Sequence, residues 1–565
     1  MKRIYIIPLL LSIVSFSLFA ASEAEYGVLS KTYTLNADGS REYRCNMELT
    51  LFTHTAMNRT YGESFIVYNP KFQELKIHTS YTKQKDGTII KTPENAFVEV
   101  LPRQAANAPA YNHLKEMVVV HTGLELGATI YLDYSIISKP GYLPELDICD
   151  AIEQTSPVRN YTITITVPEN KPLFYSLVNS SVKPSVRTSN GMKEVAWNIR
   201  NLPAASRAPL VSAIAGDSQL LVASTYTSND EAIKSLNRQF TPAGNMPLLS
   251  LSETITEGLS TDTEKLQAIL AHVVDNVGLS RLSLPETGFR IRSSDDVIPS
   301  AYGTEAEKLN ILTGLLNAAG IRAEAAAAYY TKADLNPYGL SGIDQLFVLA
   351  NADGKQYLLT PQSKNTLPVN GYTDYAQYVS ITNPGKKLNI NAPDTKLEYS
   401  YAITLSPEKA EIQTNGTIGD AFRSCTPKWK NEVTDKTEQV LKNNNGYILL
   451  SLPEAPNSIS HAAYKMYNSQ RKERLLLPYK SNENYTYTVQ LPTGMELSTP
   501  LTTKITDNAA GKAIYTVSQN GNSIEVKRTL EMKKQLITPS DYAAFRHLMI
   551  EWADINKRQL LFKVK

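Results

Sequence analysis

The chain has 565 residues, more than one hydrophobic core organises, and suggests about three domains. Hydrophobic residues make up 42% and charged residues 20%, which excludes a disordered or fibrous chain. A net charge of +2 leaves no electrostatic case for nucleic acid, so no nucleic-acid partner is expected.

Residues 1–24 read as a signal peptide. Lys2 and Arg3 precede an apolar run, and Ala20, Ala21 and Ala24 offer cleavage positions. The segment holds no cysteine, so a lipoprotein anchor is not expected. No later stretch is long and apolar enough to span a membrane. An exported chain with three cysteines leaves at least one unpaired; whether Cys149 and Cys425 pair stays open at this point.

Residues 25–215 read as a β-rich domain. Tyr43, Cys45, Met47, Leu49 and Leu51 alternate and so share one strand face, which makes Cys45 a buried thiol. Asp86-Gly87 marks a turn, and Ile130, Leu132, Tyr134 and Ile136 alternate further on. Repeated short strands with turn punctuation suggest a β-sandwich-like domain.

Residues 216–390 contain the helices. EAIKSLNRQF (231–240) and TEKLQAILAHVVDNVGL (263–279) are two of them. The segment RSSDDVIPSAYG (292–303) follows as a connection. Asp295 and Asp296 within it are two adjacent carboxylates, fewer than a calcium loop needs, and no zinc spacing occurs anywhere, so neither metal nor cofactor is expected. The centre of the chain is GTEAEKLNILTGLLNAAGI (303–321). Thr304 and Glu307 form a capping box. Leu309, Leu312, Leu315, Leu316 and Ala319 fall on one helix face, and Gly320 ends the helix with Ile321 behind it. Glu305 is then the first helical residue, where the helix field favours an anion. A strand of small residues follows (323–330), then Ile343-Asp344-Gln345, the strand LFVLA, a hairpin at Asp353-Gly354, and QYLLTPQ.

Residues 391–565 return to strands. Leu397, Tyr399, Tyr401, Ile403 and Leu405 alternate; NEVTDKTEQVLKNNNG (431–446) reads as a polar helix; a last helix opens at Thr538-Pro539 with Tyr542, Phe545, Met549 and Trp552 on its buried side. LLFKVK then closes the sheet.

The order helix, strand, strand, strand around residues 303–361 resembles the core of bacterial transglutaminase-like proteins. That family opens the helix with Gly-Asp-Cys-Lys-Asp-Lys, starts the second strand after Asp/Asn-His and ends the third with Leu-Asp-Pro. Gly303, Lys308, Ala319, Gly320, Ile321, Asp344, Gly354, Lys355 and Pro361 match the frame. The three catalytic positions depart from it: Glu305 stands for the nucleophile, Gln345 for the base and Thr360 for the orienting carboxylate. The run MVVVHTGLELGATIYLDYSI (117–136) resembles an uncharacterised domain that precedes such cores, and residues 391–565 the β-sandwich that follows them. The resemblance implies an α+β multidomain fold: an N-terminal β-sandwich-like domain, a papain/transglutaminase-like core and a C-terminal β-sandwich with a terminal helix.

A cysteine mechanism needs a thiolate and a base to form it. Between residues 273 and 424 there is no cysteine and no histidine. The expected role is therefore non-catalytic: binding or structure in the cell envelope of a Gram-negative bacterium, in the periplasm or at the surface. The partner would be an envelope protein, a peptide or a glycan. The alternative is a hydrolase of altered chemistry that uses Glu305 in the former catalytic cleft.

Overall fold

The computed structural model describes residues 22–208, 211, 218–241, 244–329, 339–364, 376–461 and 470–564. Most of the expected signal peptide, residues 1–24, lies outside these; Ala24, the last candidate cleavage position, is buried as the first residue of the strand Ala24–Leu35. Strand accounts for 44% of residues and helix for 20%, and the helices cluster in the middle of the chain. Three main buried clusters span residues 24–223, 222–429 and 397–562. No helix among the described residues is long and apolar enough to cross a membrane.

In the N-terminal region an eight-stranded sheet is built around Ala24–Leu35, which pairs parallel to Val158–Pro168 and antiparallel to Arg41–Leu51. The alternation read in the sequence places Cys45, Leu49 and Leu51 in the core. A three-stranded sheet of Asp147–Ala151, Leu220–Ser224 and Phe174–Val178 carries chain from this region to the helices. All three cysteines are free thiols.

Five helices follow: α1 (Asn229–Asn237), α2 (Met246–Thr256), α3 (Asp262–Asn276), α4 (Ser294–Ser300) and α5 (Glu305–Ala318). The sequence reading missed α2. Its segment carries Pro247 and follows a Gly- and Pro-bearing stretch, which reads as loop; Pro247 instead sits in the first turn, where its missing N–H costs nothing, and Asn245 caps it. α4 replaces part of the expected connection. Asp295 and Asp296 occupy its first turn, where Asp295 accepts from Asn245 (2.9 Å) and Asp296 from Ser293 (2.6 Å). Both are first-turn acids of a helix that Ser293 caps, and no cluster of three potential metal ligands occurs among the described residues.

α5 packs on an antiparallel five-stranded sheet ordered Lys355–Leu359, Gln345–Ala352, Arg322–Tyr329, Gln377–Ser380, Lys387–Leu388. The strand of small residues lies at its centre. Ala325 and Ala327 face the cluster that holds α5, while Ala326 and Ala328 face a second cluster with Phe347, Tyr378 and Leu476. Methyl side chains on both faces let the layers on either side approach closely. The expected single apolar face of α5 is exceeded: Glu307, Lys308 and Asn310 are as buried as the leucines. At the far end Gly320 (φ +82°) ends the helix, and Ile321 N–H closes back on Leu316 O (2.9 Å). Asp353 and Gly354, both at positive φ, form the expected two-residue hairpin.

The C-terminal region holds a seven-stranded sheet and a four-stranded sheet. The expected polar helix at 431–446 is instead an edge strand, Glu432–Val440, followed by a turn at Gly446. Val433, Thr434, Thr437 and Val440 are β-branched, and the charges that suggested a helix face solvent, where they protect the sheet edge. The last helix, α6 (Tyr542–Ala553), buries Tyr542, Phe545, Met549 and Trp552 as expected, but starts four residues after Thr538. Gln559–Val564 lies between Tyr447–Ser451 and Met495–Leu497 rather than closing an edge.

Candidate functional site

The site is built on the first turn of α5. Thr304 caps it: Glu307 N–H donates to Thr304 Oγ1 (3.3 Å), and Thr304 N–H donates to Glu307 Oε2 (2.8 Å). The box does more than cap. Glu307 is fully buried, and its Oε1 also accepts from Arg292 N–H (2.8 Å), Arg292 Nε (3.1 Å) and the Tyr111 hydroxyl. Arg292 Nη2 bonds Glu307 Oε2 (3.1 Å) and Tyr302 O (2.7 Å). The guanidinium is stacked 4.4 Å from the Tyr302 ring. Gly303 suits this crowding, because a Cβ there would lie 3.1–3.3 Å from Val297 and Glu307 and those side chains would have to give. Lys308 is buried beside it; Nζ donates to Val277 O (2.6 Å), and burial pushes its ammonium down to about 8.

This rigid base aims Glu305 into a cavity of about 260 Å³. One wall is Thr304–Ala306, a second the segment 282–285, and a third the stretch from Leu340 to Leu346 with Asp344 and Gln345. Two of the three departed positions, Glu305 and Gln345, are thus brought to one cavity. Thr360 is not among its lining residues. It is buried just past the strand Lys355–Leu359, in a bridge with Ser363. The contribution from that end of the sheet is Gln362, whose side chain hydrogen-bonds Glu305. No sequence signal singled out Gln362, Arg292 or Tyr111.

The chemistry of the cavity is acidic and amide-bearing. Glu305 stands at a helix N-terminus, which favours the carboxylate. Burial outweighs that field and the Gln362 hydrogen bond, so its pKa lies above the usual carboxylate range. No cysteine or histidine is among the lining residues. Cys149 comes within electrostatic reach of Asp344, but burial and the Asp344, Asp147 and Asp150 carboxylates push its thiol up to about 12. An activated nucleophile needs the opposite shift.

Thr304 and Glu305 differ in what they contribute to the start of the helix. Thr304→Ala is expected to cost about 0.5–2 kcal/mol, the range for a lost cap. Glu305→Ala is expected to cost less, because the helix field and the desolvation of its charge oppose each other. Urea melts of the two variants check this; a larger loss for Glu305→Ala would mean that specific partners hold the carboxylate.

Two family models match the chain. Residues 37–206 match a domain of unknown function with a solved structure (DUF3857), and residues 447–562 match a second one (DUF3858). A solved protein from Parabacteroides distasonis, provisionally described as a protease, is 42% identical, with a TM-score of 0.82 over 96% of this chain and 99% of its own. The chain belongs to that protein's family. The family's shared body therefore includes the central helices and the cavity, not only the two matched domains. No curated protein matches the chain.

Proposed function

We propose that this is an exported, transglutaminase-like protein that binds a ligand in the α5 cavity and performs no cysteine chemistry. The observation that carries the reading is the lining itself: Glu305 and Gln345 stand at the positions where a thiol and an imidazole would be needed, with Asp344 as a second carboxylate beside Gln345 in the chain. A ligand that fits offers hydrogen-bond donors, an ammonium or amide N–H, such as a peptide or an amino sugar of the cell envelope. The domain frame read from the sequence supports it. The apolar segment at residues 1–24 supports export.

One observation favours a second reading, hydrolysis by carboxylates. Burial holds Glu305 above the usual carboxylate range in a cavity that Asp344 also lines, and a raised carboxyl is what general acid catalysis requires. The provisional description of the Parabacteroides distasonis protein as a protease points the same way.

Turnover separates the two. The purified protein is given fluorescent casein, and separately a glutamine peptide with a primary amine. The expected result is no release or transfer above background. Turnover lost in Glu305→Gln would establish the hydrolase reading instead. Turnover lost in Cys149→Ala would overturn both.

A further inference from the structure

A second cavity, of about 350 Å³, lies at the other end of the same hairpin. Gly354 and Lys355 line it, at the turn, whereas Gln345 opens the eight-residue strand at its other end. Its walls come from the strand Lys355–Leu359, the segment 391–394 and the helical turn Asp420–Cys425. The volume is at the small end of the range for small-molecule sites.

Arg423 is the unusual group in it. The residue is only 6% exposed, and its guanidinium lies 4.7 Å over the Tyr357 ring. Among the described residues its one ion pair, with Asp420, is long at 3.5 Å, and its buried Nε has no partner. Among the described residues the guanidinium makes no hydrogen bond. A buried arginine ordinarily satisfies most of its five donors, because leaving them dry is costly. This one is stacked, fixed and unsatisfied at the edge of a cavity, the state of a fork waiting for a planar acceptor.

The wall beside it is also held at a cost. Lys428 and Trp429 both adopt left-handed backbone conformations (φ +53° and +49°), which bulky residues avoid. With the Gln267 amide oxygen turned toward Trp429, it accepts from both Trp429 N–H (3.1 Å) and the indole N–H (3.0 Å). The indole is thereby set 5.3 Å from the Tyr357 ring at 46°. Asp394, Asp420 and Lys355 line the same space, so one cavity presents two cations, two anions and an aromatic corner.

We propose that this cavity binds a small zwitterion, an amino acid or dipeptide. Its carboxylate takes the Arg423 fork, its ammonium faces Asp394 and Asp420, and its side chain packs in the Tyr357–Trp429 corner. Charge selects this class: a simple anion meets two carboxylates, and a simple cation meets Arg423 and Lys355.

The test uses the full mature chain with glycyl-phenylalanine, its C-terminal amide and its N-acetyl form, followed by calorimetry and tryptophan fluorescence. The dipeptide is expected to bind one to one. The amide is expected to bind about tenfold more weakly or worse, since a hydrogen bond between charged partners is worth at least a decade. Arg423→Lys keeps the charge, loses the fork and is expected to weaken binding to a similar degree. Trp429→Phe is expected to remove the fluorescence change while calorimetric binding persists. Absence of binding at millimolar dipeptide, or an amide that binds as tightly as the acid, overturns the proposal. The amide comparison needs no variant, so a destabilised Arg423→Lys protein does not blunt it. Glu305→Gln is expected to leave this binding unchanged, which separates it from the α5 cavity.

Discussion

Glu307→Ala is expected to lower the unfolding free energy by about 3–5 kcal/mol, the cost of removing one partner of a buried ion pair. The carboxylate is fully buried and accepts from five donors: the backbone N–H of Thr304 and of Arg292, two guanidinium nitrogens, and the Tyr111 hydroxyl. Its loss strands a guanidinium whose side chain is 17% exposed and leaves two backbone N–H groups and a phenol without their acceptor. The damage also crosses the molecule, because Tyr111 belongs to the N-terminal region and packs there with Leu114 and with Leu282, a lining residue of the cavity. Glu307→Gln keeps the shape and loses the charge, so an intermediate loss is expected. A double variant with Arg292→Met should recover part of it, since the stranded cation is then gone. Urea melts of the three proteins measure this. A loss for Glu307→Ala no greater than for Thr304→Ala would show that Glu307 is merely a cap.

That contrast shows what the sequence discloses. Thr304 and Glu307 are three residues apart, and the capping box is a local device, so their mutual bonds are legible in the chain. Gly320 and the Asp353-Gly354 hairpin are legible for the same reason: backbone geometry dictates the residue. Arg292 and Tyr111 are 15 and 196 residues from Glu307, and no periodicity reports which distant donors a buried carboxylate will meet. The strand at 432–440 shows the converse failure. Its charges suit a helix face, but a sheet edge welcomes them equally, and only the partner strand Lys409–Ile418 decides. For the site, the sequence delivered Glu305 and Gln345 to one cavity because each stands at the end of an element. Thr360 follows a strand end too, but the chain turns there and Gln362 reaches Glu305 instead. The Arg423 cavity left no trace, since its walls come from three separate stretches of chain.

Asp147→Asn is expected to stabilise the protein above neutral pH and to have much less effect near pH 5. Asp147 opens the strand Asp147–Ala151 and holds the wall of the α5 cavity from behind. Its Oδ2 accepts from Leu340 N–H (2.6 Å) and Ser341 N–H (3.2 Å), and Ser341 Oγ donates to Asp147 O (3.1 Å). Gly339 passes so close that a Cβ would lie 2.2 Å from Oδ1, and that oxygen is buried without a hydrogen-bond partner. Burial outweighs these bonds and the attraction of Arg41, and pushes the carboxyl up to about 7. The folded state therefore holds the proton more tightly than the unfolded chain, whose Asp titrates near 4. The associated stability is fully present below about pH 4 and is lost as pH rises towards 7, by up to about 4 kcal/mol. An asparagine is neutral throughout and keeps an acceptor for Leu340 and Ser341, so it escapes that loss. Urea melts of both proteins at about pH 5 and about pH 8 give the result: the advantage of the variant should grow with pH. An advantage equal at both values would mean that Asp147 is ionised in the folded state, with its unpartnered oxygen served by a donor outside the described residues. Because Leu340 and Ser341 line the cavity, the same titration should be visible at the site, as tighter seating of that wall when Asp147 is protonated. Hydrogen exchange at the Leu340 and Ser341 amides, compared between the two proteins at about pH 8, should show stronger protection in the variant.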